Sequence, residues 1–405
     1  MPLAVYVLGL AIFAQGTSEL MLAGLLPETA AGLGVSVPDA GLLISAFAVG
    51  MLVGAPVLAV VTLRWPRRTA LLAFMAVFTV AHVVGALTPG YATLLVTRVV
   101  AAFVYAGFWA VAAVTAIGLA GPAARGRAMG IVAGGLTVAT TLGLPAGTLV
   151  GQALGWRAAF WVVAGMSALA ALGVLATVPG RPPAPHPSAP RTETSLRREL
   201  GALANPRLWL ALGTTALSTA GLLVTFSYLS ALLTDTTGLA PGWVPAMLAL
   251  YGAGSLIGIT VGGRVADARP FTLLYAGLAA LVVISGALAL SAEVAWLAVP
   301  LVFLLGASGF ATNPALNTRV FAVAHDAPTL AASFNVSAFN VGITVGPWLG
   351  GLLIAAGYGY APLGWIGAAL GLLALGAVAL AASAERRPRT AAAHRNPAPA
   401  CPGGV

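Results

Sequence analysis

Residues 91–119 read YATLLVTRVVAAFVYAGFWAVAAVTAIGL. The run is longer than the roughly 20 residues that carry an α-helix across about 30 Å of hydrocarbon. Its one charge is Arg98, and its apolar residues fall on every side of a helical wheel. A helix apolar all round needs lipid or other helices as its solvent. Eleven more runs of this kind lie near 3–26, 41–62, 70–88, 127–150, 157–178, 208–233, 243–263, 271–290, 295–318, 331–356 and 361–382. Over the 405 residues, 60% are hydrophobic and 7% charged. Soluble chains carry roughly a quarter charged residues, so a water-soluble globular enzyme is excluded. The 50 glycines and 27 prolines have no collagen period, and membrane helices tolerate both residue types. The chain reads as an all-α membrane protein with twelve transmembrane helices.

The runs are interrupted once. Residues 179–207 hold seven prolines and five arginines, which suits a cytoplasmic linker between a six-helix bundle at 1–178 and a second at 208–383. From residue 384 to 405 the chain is basic and proline-rich, the composition of a disordered tail. There is no lysine, and the net charge of +9 comes from arginines in short loops. Nucleic acid is therefore not the expected partner, since the arginines fall where a topology signal puts them. With a cytoplasmic N-terminus, 17 of the 19 arginines lie on the inner side, so both termini are expected in the cytoplasm. The first apolar run begins at Leu3 with no charged segment ahead of it, as a first span rather than a cleaved leader. The single cysteine, Cys401, supports neither a disulfide framework nor a metal site.

The two sets of six runs echo each other. Gly50, Gly54 and Pro66 recur after 204 residues as Gly254, Gly258 and Pro270, and Gly143 and Gly147 recur after 203 as Gly346 and Gly350. Pseudo-symmetric helical halves around a central site are a transporter architecture.

Two loops and one span carry motifs. The loop from Ala55 to Arg68 contains Arg64, Arg67 and Arg68, and its counterpart in the second half contains Gly263, Arg264 and Asp267. Here the chain resembles the major facilitator superfamily, whose inner loops carry a G-x-x-x-D-R-x-G-R-R type signature. The first copy has Ala59, Leu63 and Pro66 where the family has glycine, aspartate and glycine; the second keeps Gly263 and Asp267. The resemblance implies that these loops latch the cytoplasmic gate; the alternative is that the arginines only set topology. The stretch containing Gly143, Pro145, Gly147 and Gly151 is similar to the glycine-proline motif of the superfamily's antiporters. Small residues at this spacing also serve plain backbone-to-backbone packing.

Two charges lie inside spans. Glu19 can shed its charge by binding a proton, whereas Arg98 must be paired or hydrated. Together they are the candidate proton-coupling pair, with a buried structural pair as the alternative. Tyr105 and Trp109 share the Arg98 face of their helix, and Gln15 lies one turn from Glu19. With Tyr228, Asn313, Asn317 and Asn340, these polar and aromatic stripes suit a central cavity for an amphipathic solute, or interhelical hydrogen bonds. His82 is isolated and reads more readily as a packing residue than as a proton relay. The four histidines have no ligand spacing and no P-loop is present, so no metal, cofactor or ATP chemistry is expected.

The stretches Val7–Pro27, Ala55–Arg68, Gly143–Phe160 and Asn335–Gly351 look like twelve-span drug:proton antiporters, and most resemble the actinobacterial chloramphenicol-resistance exporters. The resemblance implies proton-driven efflux of chloramphenicol or a related phenicol by a monomer in the bacterial inner membrane. Export of sugars or other small metabolites, and broader multidrug efflux, are the alternatives. A non-transporting scaffold or receptor fits less well with an embedded acid and a repeat.

Overall fold

The structure, a computed structural model, describes residues 1–62, 65–121, 124–180, 205–266, 268–324 and 328–386. The ordered elements among them are helices, and twelve are long and apolar enough to cross a membrane. In the first half these are α1 (Leu3–Gly24), α2 (Val37–Leu58), α3 (Arg67–Leu87), α4 (Tyr91–Ala120), α5 (Arg127–Leu154) and α6 (Trp156–Thr177). In the second half they are α7 (Pro206–Thr236), α8 (Pro241–Ala266), α9 (Pro270–Ser291), α10 (Ala295–Val323), α11 (Phe334–Ala355) and α12 (Leu363–Ala384). An even number of crossings puts the start of α1 and the end of α12 on one face, the terminal face; the other is the distal face. The expected linker and tail fall mostly outside the described residues, as do Arg64 and Asp267.

Local chemistry explains the element ends. Asn205 caps α7, its side-chain oxygen accepting from the Arg207 amide at 3.0 Å, with Pro206 in the first turn where no N–H is needed. Gly155, at φ 87°, makes the one-residue turn from α5 to α6, a conformation that costs a glycine little. In α5 a wide π-turn, Ala139–Gly143, precedes Pro145 and accommodates the missing donor and the ring.

The glycine repeat is a repeat of helix crossings. A Cβ on Gly50 would lie 2.4 Å from the Val99 carbonyl oxygen, and one on Gly254 would lie 2.1 Å from that of Phe303. Gly54 likewise meets Phe103, and Gly258 meets Ala307. The partners are 204 residues apart, as the glycines are, so α2 against α4 is repeated by α8 against α10. A Cβ on Gly143 would lie 2.1 Å from Thr17 Oγ1, and one on Gly346 2.8 Å from the Ala220 carbonyl oxygen. Thr17 and Ala220 are 203 residues apart, so α5 on α1 is repeated by α11 on α7.

The same offset locates two breaks that the hydropathy pattern conceals. Helix α1 ends at Leu25 (φ −121°, ψ 14°), ahead of a short helix Leu26–Leu33, and α7 is interrupted at Tyr228 (φ −109°, ψ 14°). The breaks are tied to each other across the halves, because Ser230 Oγ donates to the Ala23 carbonyl at 2.9 Å. That bond satisfies a carbonyl in the last turn of α1.

The halves meet on the distal side. Ser45 on α2 donates to the Thr344 carbonyl on α11 at 2.9 Å, and Gln152 at the end of α5 donates to the Pro241 carbonyl at 3.1 Å. The Tyr228 ring lies between Gly41 of α2 and Gly350 of α11, and its hydroxyl donates to the Pro347 carbonyl at 2.8 Å. At mid-depth Gly252 of α8 packs on the backbone of Thr140 and Thr141 in α5.

Candidate functional site

Below the distal seal lies a cavity of about 570 Å³ between the halves, a size suited to a small molecule. It reaches Met51, Ile259, Asn317 and Val336, each within about two turns of the terminal-face end of its helix. The first half contributes an aromatic and acidic wall: Phe47 from α2, Tyr105 and Trp109 from α4, and Glu19 from α1. Glu19 is the one charged side chain on the wall among the described residues. The second half contributes Ser218 and Thr219 from α7, Asn313 and Asn317 from α10, and Asn340 from α11. Tyr251 of α8 stacks on Phe226 at 4.4 Å, closing one side with apolar surface.

The carboxamides of Asn317 and Asn340 are held rather than free to swing. Asn317 Nδ2 donates to the Asn313 carbonyl at 2.8 Å, and Asn317 Oδ1 accepts from Asn335 Nδ2 at 2.6 Å. Asn340 Nδ2 donates to its own helix at the Val336 carbonyl, 2.9 Å away, which leaves Oδ1 buried without a protein donor. A buried acceptor in this condition carries an unmet hydrogen-bond demand.

Arg98 is not on the cavity wall. It is 1% exposed and lies behind Phe47, whose ring it faces at 4.2 Å. Its Nη1 donates to Ser18 Oγ at 2.8 Å; Ser18 in turn bonds His82 Nε2 at 2.5 Å, and His82 Nδ1 bonds the Phe78 carbonyl at 2.8 Å. For a neutral imidazole, a carbonyl that can only accept at one end and a guanidinium that can only donate at the other fix the directions along this chain. Nδ1 carries the imidazole proton, and Ser18 accepts from Arg98 and donates to Nε2. Arg98 Nε and Nη2 are buried with no protein acceptor. Glu19 lies in the field of Arg98, yet the two make no ion pair within 4.0 Å.

Two residues expected in the cavity stand elsewhere. Gln15 is fully buried, away from the wall, and neither end of its amide has a protein partner. Tyr228 is fully buried in the distal seal, because the α7 break turns it away from the stripe that helical periodicity assigns it to. The antiporter-motif glycines lie along the α1 contact, Gly147 facing Met21 and Gly151 facing Leu25, and Pro145 is buried beside them. Of the gate-loop residues, Arg67 and Arg68 bond the carbonyls of Val114 and Leu175, which ties the start of α3 to the ends of α4 and α6. Gly263 is exposed with open space around it.

Sequence reasoning missed Phe47, Met51, Tyr251 and Phe226, because an apolar side chain on a cavity wall looks the same as one in a helix contact. It also missed the tie from Ser18 to His82. The only available signal was a lone histidine in a span, next to a helix rich in polar residues.

The family model for the Major Facilitator Superfamily matches residues 8–336. A chloramphenicol resistance protein of Streptomyces lividans is 45% identical over 373 residues, covering 88% of this chain and 94% of that protein. The inner membrane transport protein YdhP of Escherichia coli strain K12 is 35% identical over 383 residues, covering 95% and 96%. Among solved structures, a bacterial homologue of the human lysosomal transporter Spinster, inward-facing and occupied, superposes with a TM-score of 0.73 at 19% identity, covering 94% and 96%.

Proposed function

The chain belongs to the major facilitator superfamily, and from that premise we propose that it exports a small amphipathic antibiotic, chloramphenicol or a related phenicol, in exchange for protons. The observation that carries this reading is a lone acid, Glu19, on the wall of an otherwise aromatic and carboxamide-lined cavity between two repeated halves. The 45% identity to the Streptomyces chloramphenicol resistance protein supports the substrate class. Aromatic rings take the arene of such a molecule, and the carboxamides and hydroxyls of α7, α10 and α11 take its polar groups.

In this reading both termini are cytoplasmic, the membrane is the bacterial inner membrane, and the distal seal is the external gate. The cavity then loads drug from the cytoplasm. Binding of the neutral drug and protonation of Glu19 alternate, so that each outward passage of drug is linked to inward passage of a proton. Arg98 supplies the fixed positive charge beside the acid. The loops carrying Arg67, Arg68, Gly263 and Asp267 close the cytoplasmic side in the other half of the cycle. Residues 1–178 and 208–383 move as two bundles of one monomer about the site.

The test is a susceptibility panel in an efflux-deficient bacterial host. Expression of this chain is expected to raise resistance to phenicols and to lower drug retention in cells, a difference that an uncoupler abolishes. Resistance confined to dyes, or tolerance of sugars alone, would overturn the substrate assignment.

A further inference from the structure

Nothing in proton-coupled export requires the buried pair Ser18 and His82, yet they form a continuous hydrogen-bonded chain with Arg98 beside the acid. Ser18 immediately precedes Glu19 on α1 and takes a hydrogen from Arg98; His82 on α3 takes the Ser18 hydrogen in turn and is itself anchored to Phe78. Resting on the assignment of Glu19 as the proton carrier, we propose that Ser18 and His82 are positioning residues, a neutral clip that holds Arg98 off Glu19 while the cavity is open to the terminal face.

The geometry gives the clip its purpose. A guanidinium and a carboxylate in a desolvated site attract each other strongly, and a closed pair holds the acid in its charged form. Arg98 keeps two nitrogens, Nε and Nη2, whose N–H groups have no protein acceptor. Glu19 is one residue from the serine that Arg98 does bond. The ring of Phe47 covers the guanidinium, so its charge is stabilised without a carboxylate. The clip is an acceptor with no charge of its own, since His82 holds one proton, on Nδ1, and its Nε2 lone pair is used by Ser18. Arg98 is thus retained without being neutralised, and Glu19 is left able to exchange its proton.

The other groups around the acid do not supply this hold. Tyr105 on α4 and Tyr251 on α8 are the remaining titratable side chains on the wall nearby, and both are phenols. Helix α2 offers the Phe47 ring, α5 offers Leu136 and Thr140, α6 offers Phe160 beside His82, and α7 offers Ser218 and Thr219. Among the described residues none of these carries a second charge.

The experiment uses the full chain in proteoliposomes, with chloramphenicol as the probe and efflux measured across pH for the wild type, Ser18→Ala, His82→Phe, His82→Gln and Glu19→Gln. Without the clip Arg98 turns to Glu19, and the pH dependence of efflux in Ser18→Ala and His82→Phe moves toward acid by about one unit, the lower end of the effect of an adjacent opposite charge. The apparent KM for drug stays as in the wild type. His82→Gln keeps an acceptor for Ser18 and is expected to keep the wild-type profile, which guards against a variant that merely folds poorly. In the Glu19→Gln background the Ser18 substitution is expected to add nothing. If Glu19 governs coupling while Ser18→Ala and His82→Phe retain the wild-type pH profile, the clip is overturned and the acid assignment stands. If Glu19→Gln still couples, the assignment and the clip fall together.

Discussion

Replacing Gly41 by alanine tests the distal seal at its tightest point. The added Cβ would lie 2.2 Å from the Tyr228 hydroxyl oxygen, 2.8 Å from Cζ and 3.0 Å from Cε1, all well inside van der Waals contact. The ring cannot simply retreat, because its opposite edge rests on Gly350, where a Cβ would meet Cε2 at 2.8 Å. Displacing the ring also gives up its hydrogen bond to the Pro347 carbonyl. Overpacking costs about 1–3 kcal/mol and a lost hydrogen bond about 1 kcal/mol, so a total of about 2 kcal/mol is a low estimate. The penalty applies only where α2 and α11 are held against Tyr228, so it shifts the ratio of distally closed to distally open molecules by roughly 30-fold. Spin labels at Ala31 and Tyr358, both exposed on the distal face, report that ratio by double electron–electron resonance once Cys401 is replaced by serine. Gly41→Ala is expected to enrich the longer distance, and Gly41→Ala with Tyr228→Phe to recover part of the shorter one, because it removes the atom struck at 2.2 Å. An unchanged distance distribution in fully inserted Gly41→Ala protein would refute the reasoning.

Alanine at Tyr105 or Trp109 is expected to raise the apparent KM for some drugs and not others in transport assays, with membrane levels preserved; equal loss for every substrate together with poor insertion would assign these rings to packing. Gly54→Leu places a side chain where even a Cβ would lie 2.5 Å from the Phe103 carbonyl oxygen, and is expected to abolish folded protein in a detergent thermal-stability assay. Asp267→Asn is expected to slow transport severalfold without loss of membrane insertion; full activity would remove the second-half loop from the gate.

The twelve crossings were legible because an apolar run long enough to cross the hydrocarbon layer, with no polar face, has no stable place in water. The repeat was legible in its glycines, and the structure gives the reason. Gly50 and Gly254, like Gly143 and Gly346, stand where a neighbouring backbone or side chain leaves no room for a Cβ, so the two halves keep them at a constant spacing. The breaks at Leu25 and Tyr228 were not legible, since neither residue is a helix breaker and the hydropathy runs on through both. Their cost is met by tertiary contacts, among them the Ser230 bond to the Ala23 carbonyl. Tyr228 was misplaced for this reason, helical periodicity being extended across a point where the helix stops. The cavity was half legible. Glu19, Tyr105, Trp109 and the three asparagines are conspicuous in apolar helices, while Phe47 and Met51 look like any lipid-facing or packing residue. His82 reads as packing because an isolated histidine has no visible partner in the sequence, and Ser18 is 64 residues away.

The central claim is that proton movement through Glu19 drives export. It is tested most directly with the purified chain in proteoliposomes, where an imposed pH gradient is the only energy source and radiolabelled chloramphenicol is followed by filtration. Wild-type protein is expected to accumulate the drug against its gradient on the acidic side, with accumulation collapsing on addition of an uncoupler. Glu19→Gln is expected to bind the drug and lose uphill movement, and Glu19→Asp to keep part of it. Uncoupler-sensitive accumulation by Glu19→Gln equal to that of the wild type would contradict the account.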